Sequence, residues 1–108
     1  MEWKYEDERV YLEGKSGELI AEANLLDCGE GEVNIDRTFV NPDYRGQGLA
    51  GKLMEAVVSF LRENSLKATA NCPYAHSWLR ERRESHADVI SDKFDSSPPR
   101  KKSEKKTK

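Results

Sequence analysis

The spacing of apolar residues changes once along the chain, and the change falls at a turn with two glycines. Before Arg45 the apolar residues alternate; from Leu49 they recur every three to four positions. The alternating part divides into three segments. "RVYLEG" (Arg9–Gly14) runs into the turn signal "GKSG". "ELIAEANLLDC" (Glu18–Cys28) puts Leu19, Ala21, Ala23 and Leu25 on one side and ends at "GEG". "EVNIDRTFV" (Glu32–Val40) puts Val33, Ile35 and Phe39 on one side, with Asp36, Thr38 and Val40 on the other. Short strands joined by tight glycine turns predict an antiparallel meander.

Beyond the change of period, Leu49, Leu53, Val57 and Leu61 form one i, i+4 row, widened by Met54, Val58 and Phe60. Lys52, Glu55, Arg62 and Glu63 lie away from that row, so about Gly48 to Asn64 predicts an amphipathic helix. "LKATANC" (Leu66–Cys72) reads as a fourth strand, and Pro73 suits the first turn of a last helix carrying Ala75, Trp78 and Leu79 on one side. The order β-β-β-α-β-α predicts an α+β fold. Its sheet is mixed and splayed, an antiparallel meander plus a crossover strand, with two main helices.

Composition limits the size of this fold. With 108 residues, 36% hydrophobic and 35% charged, the chain has the length of one domain with a small core. No apolar run approaches the roughly 18 residues of a membrane span, and Met1–Arg9 is too acidic for a signal peptide. No membrane partner is therefore expected. Two cysteines, Cys28 and Cys72, are too few for a disulfide framework, which favours a reduced cytoplasmic setting. Cys28, at a strand end beside Gly29, reads as structural.

The net charge of −2 is unevenly distributed. Pro98–Lys108 carries six Lys/Arg and one Glu, hence +5, which leaves −7 on the rest. A folded domain over 1–94 with a disordered basic tail over 95–108 follows. Two roles stay open for such a tail, a solubilising terminus or contact with an acidic partner. A charge run alone specifies no nucleic acid.

"RGQGLA" (Arg45–Ala50) stands where the last meander strand gives way to the helix. A helix start carries unpaired N–H groups and partial positive charge, and glycines let a ligand approach the main chain. A phosphate or diphosphate is a natural guest there, with Arg45 as a fixed cation. The pattern is neither a G-x-G-x-x-G dinucleotide fingerprint nor a P-loop. A tight strand-to-helix joint with no ligand is the other reading.

"VNPDYRGQGLAGKLM" (Val40–Met54) resembles the cofactor motif of the GNAT superfamily of N-acetyltransferases, V-x-P-x-x-R-G-x-G-[LI]-[AG] followed by a helix. Val40, Pro42, Arg45, Gly46, Gly48, Leu49 and Ala50 match it. The resemblance implies that Arg45, Gly46, Gln47, Gly48, Leu49 and Ala50 hold the pyrophosphate of acetyl-CoA or coenzyme A, mostly through backbone amides. It also implies that the sheet splays for the pantetheine arm, and that amides at Thr38 and Val40 face that arm and the acetyl carbonyl.

Cys72 precedes Pro73, which favours extended geometry at the cysteine and places it at the N-cap of the last helix. An N-cap position favours a thiolate, and His76 lies one turn on to assist it or to carry a proton. Equally, free cysteines are commonly small buried hydrophobes, and a helix histidine is commonly packed or solvated. "CPYAHSWL" followed by "HADVI" is similar to a compact single-domain GNAT branch. Its members carry a cysteine directly after the crossover strand and an aromatic two residues later, here Cys72 and Tyr74. That resemblance covers about Val10 to Ile90 and implies a reactive Cys72. Two departures stand out. Arg37 occupies a place commonly held by histidine, and Arg83-Glu84-Ser85-His86 replaces an H-P-E-Y run.

The implied activity is N-acetyl transfer from acetyl-CoA to an amine, either a protein lysine or a small amine, with no metal. Two routes are open. Asp36, on the same side as Thr38 and Val40, deprotonates an amine that attacks directly, or Cys72 takes the acetyl group and hands it on. The alternative functions are a coenzyme-A-binding regulatory or interaction protein without efficient catalysis, and an interaction protein recruited through the tail. The acceptor and the oligomeric state are not specified by the sequence.

Overall fold

The computed structural model describes residues 2–96 and 99, so most of the basic segment, 97–98 and 100–108, lies outside the described residues. Five strands form one sheet in chain order: β1 (Lys4–Glu6), β2 (Arg9–Glu13), β3 (Leu19–Gly29), β4 (Glu32–Val40) and β5 (Lys67–Ala70). Neighbours from β1 to β4 are antiparallel, and β5 joins β4 in parallel after a crossover through helix α1 (Leu49–Glu63). Helix α2 (Pro73–Glu81) follows β5 directly. The fold is therefore α+β with a mixed sheet and two main helices, as the periodicity predicts, with one strand more.

That extra strand is β1. Its three residues are all exposed, and its turn holds Asp7 (φ 54°) and Glu8 (φ 61°) in the left-handed region without the glycine that marks such turns. The β3–β4 turn has that mark, with Glu30 (φ 56°) followed by Gly31 (φ 78°).

The predicted helix row becomes the core. Leu49, Leu53, Val57 and Leu61 are at most 2% exposed and pack in one cluster with Val10, Leu12, Ala21, Ala23, Leu25, Val33 and Ile35 of the sheet. The alanines of β3 admit the helix close to the strand backbone. α1 ends in a Schellman arrangement: the Leu66 N–H donates to Leu61 O (2.9 Å) and the Ser65 N–H to Arg62 O (3.3 Å), with Ser65 at φ 56°.

One irregularity in β4 decides where the site residues go. Leu25 pairs with Ile35 and Asn24 with Arg37, so Asp36 is an extra residue, a β-bulge. Cross-strand partners share a face. Thr38 opposite Ala23 and Val40 opposite Ala21 therefore lie on the core face with Ile35, while Phe39 opposite Glu22 lies on the other. This corrects the simple alternation expected for β4, which grouped Asp36 with Thr38 and Val40 and Phe39 with Val33 and Ile35. The extra residue inverts the count from the bulge onward.

Past α2 the chain makes a 3-10 turn (Ala87–Val89) and bridges Ile90 in parallel to Ala68, along the outer edge of β5. Asp95 is held by Arg83 through two bonds of 2.7 and 3.0 Å. Among the described residues no helix is long and apolar enough to cross a membrane. Cys28 and Cys72 are both free thiols. Cys28 is exposed, with Sγ 3.6 Å from Leu26 O, so it lies at the surface and outside the buried core.

Candidate active site

Gly46 and Gly48 adopt φ of 85° and 72°, conformations that side chains rarely take, and Gly48 is the N-cap of α1. The first turn of α1 carries no acidic residue and no side-chain cap, so its amides keep their partial positive charge unanswered by the chain. A Cβ built at Gly46, Gly48 or Gly51 would meet no atom within 4 Å. The mouth of the helix is open. Arg45 and Gln47 are exposed beside it, and the Arg45 guanidinium lies 3.5 Å from Val40 O. Leu49 is buried in the core and Ala50 half-buried, so these two offer backbone amides.

The approach to this mouth is braced by groups the sequence reading did not single out. Asn41 donates from its backbone to Ile20 O (2.8 Å) and from Nδ2 to Leu19 O (2.9 Å), and its Oδ1 accepts from the Asp43 N–H (2.9 Å). The Tyr44 hydroxyl donates to Glu18 Oε2 at 2.6 Å, a bond that holds the Glu18 carboxyl below its ordinary value. Asn41-Pro42 is a turn-initiating pair, and that was the available signal.

The sheet splits next to this mouth. Pairing of β4 with β5 ends at Ile35 opposite Ala70, whereas pairing of β4 with β3 continues to Val40. From Arg37 to Val40 no β5 residue pairs with β4 among the described residues, which leaves the backbone amides on that edge for a ligand. Polar side chains fasten the fork. Asn34 Nδ2 donates to Thr69 Oγ1 (2.7 Å), Asn34 Oδ1 accepts from the Asn71 N–H (3.3 Å), and Asn71 Nδ2 donates to Asp36 Oδ1 (3.1 Å). Asn71 and Cys72 both donate backbone N–H to Ile35 O, at 3.0 and 3.1 Å.

Cys72 is the N-cap of α2 (φ −69°, ψ 122°) with Pro73 in the first turn, as the Cys-Pro pair predicts. It is 7% exposed and its Sγ lies 3.3 Å from Thr38 Oγ1. The fork thus brings Thr38 and Cys72 together, with Val40 further along the open edge. Asp36 sits at the bulge with its carboxylate on Asn71, and Tyr74 is exposed. His76 faces elsewhere. Its ring stacks on Phe94 (centroids 4.3 Å, 12°), and burial, then Arg80, push its pKa down, so it is a packed neutral imidazole. Of the readings left open for His76, assistance to the thiol or a packed or solvated side chain, the structure shows the packed one. Among the described residues no three His, Cys, Asp or Glu side chains are grouped as a metal site needs.

This is an α+β domain whose sheet forks beside an open, glycine-lined helix mouth, an arrangement suited to an anionic group at the mouth and an extended arm along the fork. The family profile described as GCN5-related N-acetyl-transferase matches residues 9–89, and the chain belongs to that family of acyltransferases. It is similar to the solution structure of a GCN5-like protein from Staphylococcus aureus, with 34% identity and a TM-score of 0.67. That match covers 83% of this chain and 87% of the other. Protein NATD1 of Gallus gallus and of Mus musculus is 36% identical over 53 residues, 49% of this chain and 48% of theirs. The match therefore spans about half the length of those relatives. N-acetylglutamate synthase from Neisseria gonorrhoeae, solved with coenzyme A and N-acetyl-glutamate, shares the fold at 23% identity and a TM-score of 0.56. There the match covers 69% of this chain and 18% of that one.

Proposed function

We propose that this chain transfers an acetyl group from acetyl-CoA to an amine, a protein lysine or a small amine, with Cys72 taking part. The observation that carries the reading is the unobstructed helix mouth at Gly46–Gly48 beside the unpaired edge of β4. Amides of Gly46, Gln47, Gly48, Leu49 and Ala50 hold the diphosphate, with Arg45 as a cation at the rim. The family membership and a coenzyme-A-bound neighbour of the same fold support that guest.

Bound there, acetyl-CoA supplies an activated acetyl thioester. Amides at Thr38 and Val40, on the open edge of β4, face the arm and the acetyl carbonyl, where each well-placed donor lowers the barrier by about 3 kcal/mol. In the covalent route Cys72 Sγ bonds to the acetyl carbon as coenzyme A leaves. The amine nitrogen then bonds to that carbon as its bond to Sγ breaks, and the proton lost by the amine returns to the Cys72 sulfur. In the direct route the amine nitrogen bonds to the acetyl carbon as the bond to sulfur breaks and coenzyme A leaves; Asp36 takes the amine proton, which ends on the departing thiolate.

Coenzyme A titrated into the protein tests the site: amide resonances of Thr38–Ala50 and Cys72–Ser77 are expected to shift. No binding at millimolar ligand would defeat it. Acetyl transfer over a mixture of amines tests the reaction. With Cys72→Ala, loss of acetyl-enzyme together with turnover supports the covalent route; turnover retained without acetyl-enzyme leaves the direct one.

A further inference from the structure

We propose that the side-chain hydroxyl of Thr38 is a positioning group for Cys72, holding the sulfur at the fork and donating a hydrogen bond to it once the thiol proton has left. The inference rests on the reading in which Cys72 takes part. Thr38 Oγ1 and Cys72 Sγ are 3.3 Å apart. While the thiol keeps its proton, either atom can be the donor; a thiolate can only accept, so the hydroxyl then donates.

The contact is built by the fold rather than by local sequence. Ala68 and Ala70 pair with Val33 and Ile35, and beyond β5 the Asn71 and Cys72 N–H groups both donate to Ile35 O, which seats Cys72 at the fork beside Thr38. Regular alternation in β4 would turn Thr38 to the opposite face, and the bulge at Asp36 brings it back. A β-branched residue on a strand also has few rotamers, which fixes Oγ1 where the strand puts it.

Other ionisable groups surround the fork. Asp36 and Arg37 lie on β4, Tyr74 and His76 on α2, and Arg45 at the mouth; the Asp36 carboxylate is on Asn71 and the His76 ring on Phe94. All are retained in the variants below, so their influence on the thiol is common to every measurement. No bond to Thr38 is made or broken: the thiol gives its proton to solvent, and the hydroxyl keeps its own.

The test follows alkylation of Cys72 by iodoacetamide against pH in a Cys28→Ser background, because Cys28 is an exposed free thiol. Thr38→Val keeps the branched shape and removes the donor, Thr38→Ala removes both, and Thr38→Ser keeps the donor. The Val and Ala variants are expected to react about three- to tenfold more slowly than the parent at neutral pH, with Ser close to the parent. Superimposable profiles for parent and Val would overturn the proposal. So would a Ser profile that follows Val, or a parent thiol that does not react at any pH. These profiles require no coenzyme A. Failure of the acetyl-transfer reading appears separately, as absence of coenzyme A binding or of acetyl-enzyme in the parent.

Discussion

Gly48 holds φ 72° at the helix mouth, and a methyl group placed there has free space around it. Its replacement therefore acts through backbone strain and through the ligand. Gly48→Ala is expected to lower stability by about 1 kcal/mol in denaturant melts and to weaken coenzyme A binding further, since the new methyl stands over the amides. Ser65 is the reverse case. It closes the Schellman turn of α1 at φ 56°, where glycine is free of strain. Ser65→Gly is expected to raise stability by about 0.5 kcal/mol, with coenzyme A affinity unchanged. At this scale the sequence was informative where glycine marks the conformation, as at Gly46 and Gly48. It was silent where serine, aspartate or glutamate takes the same angles, as at Ser65, Asp7 and Glu8.

Elements were read well wherever their apolar period was regular. The α1 row Leu49, Leu53, Val57 and Leu61 is buried as its spacing predicts, and Leu53→Ala is expected to cost about 2–5 kcal/mol by calorimetry or denaturant. β4 was located correctly, but its faces were not, because a bulge leaves no mark in a string of alternating residues. α2 shows a further limit. Whether His76 serves the thiol or the core depends on Phe94, eighteen positions away, whose ring covers it. Folding lowers the His76 pKa below its unfolded value near 6.5, so the unfolded chain binds its proton first. Stability owed to neutral His76 is complete above about pH 6.5 and is lost as pH falls through the lowered folded value. His76→Phe is expected to flatten the fall in melting temperature between pH 7 and pH 5, and an unchanged slope would contradict it.

The whole molecule joins a braced entrance to a fork fastened by Asn34, Thr69 and Asn71. A guest on the helix mouth and the open edge of β4 bridges both, and ligand held at about 100 times its dissociation constant adds about 2.7 kcal/mol to stability. Melting temperature is expected to rise with coenzyme A in the parent and to rise less with Gly48→Ala. Hydrogen exchange is expected to slow from Asp36 to Val40. A melting temperature indifferent to coenzyme A would sink the cofactor assignment at this scale. The wedge itself follows from the resemblance, whereas the residues that pin it come from separate strands and had no common signature along the chain.

The extra residue at Asp36 also constrains how the gene can drift. Losing or gaining a single codon between Ile35 and Thr38 would swing the hydroxyl to the far side of the sheet while leaving every hairpin intact. The turns at Lys15–Gly17 and Glu30–Gly31 can change length without that penalty. Sister sequences that keep the paired oxygen and sulfur should therefore show indels at the loop tips and a fixed residue count along this one strand.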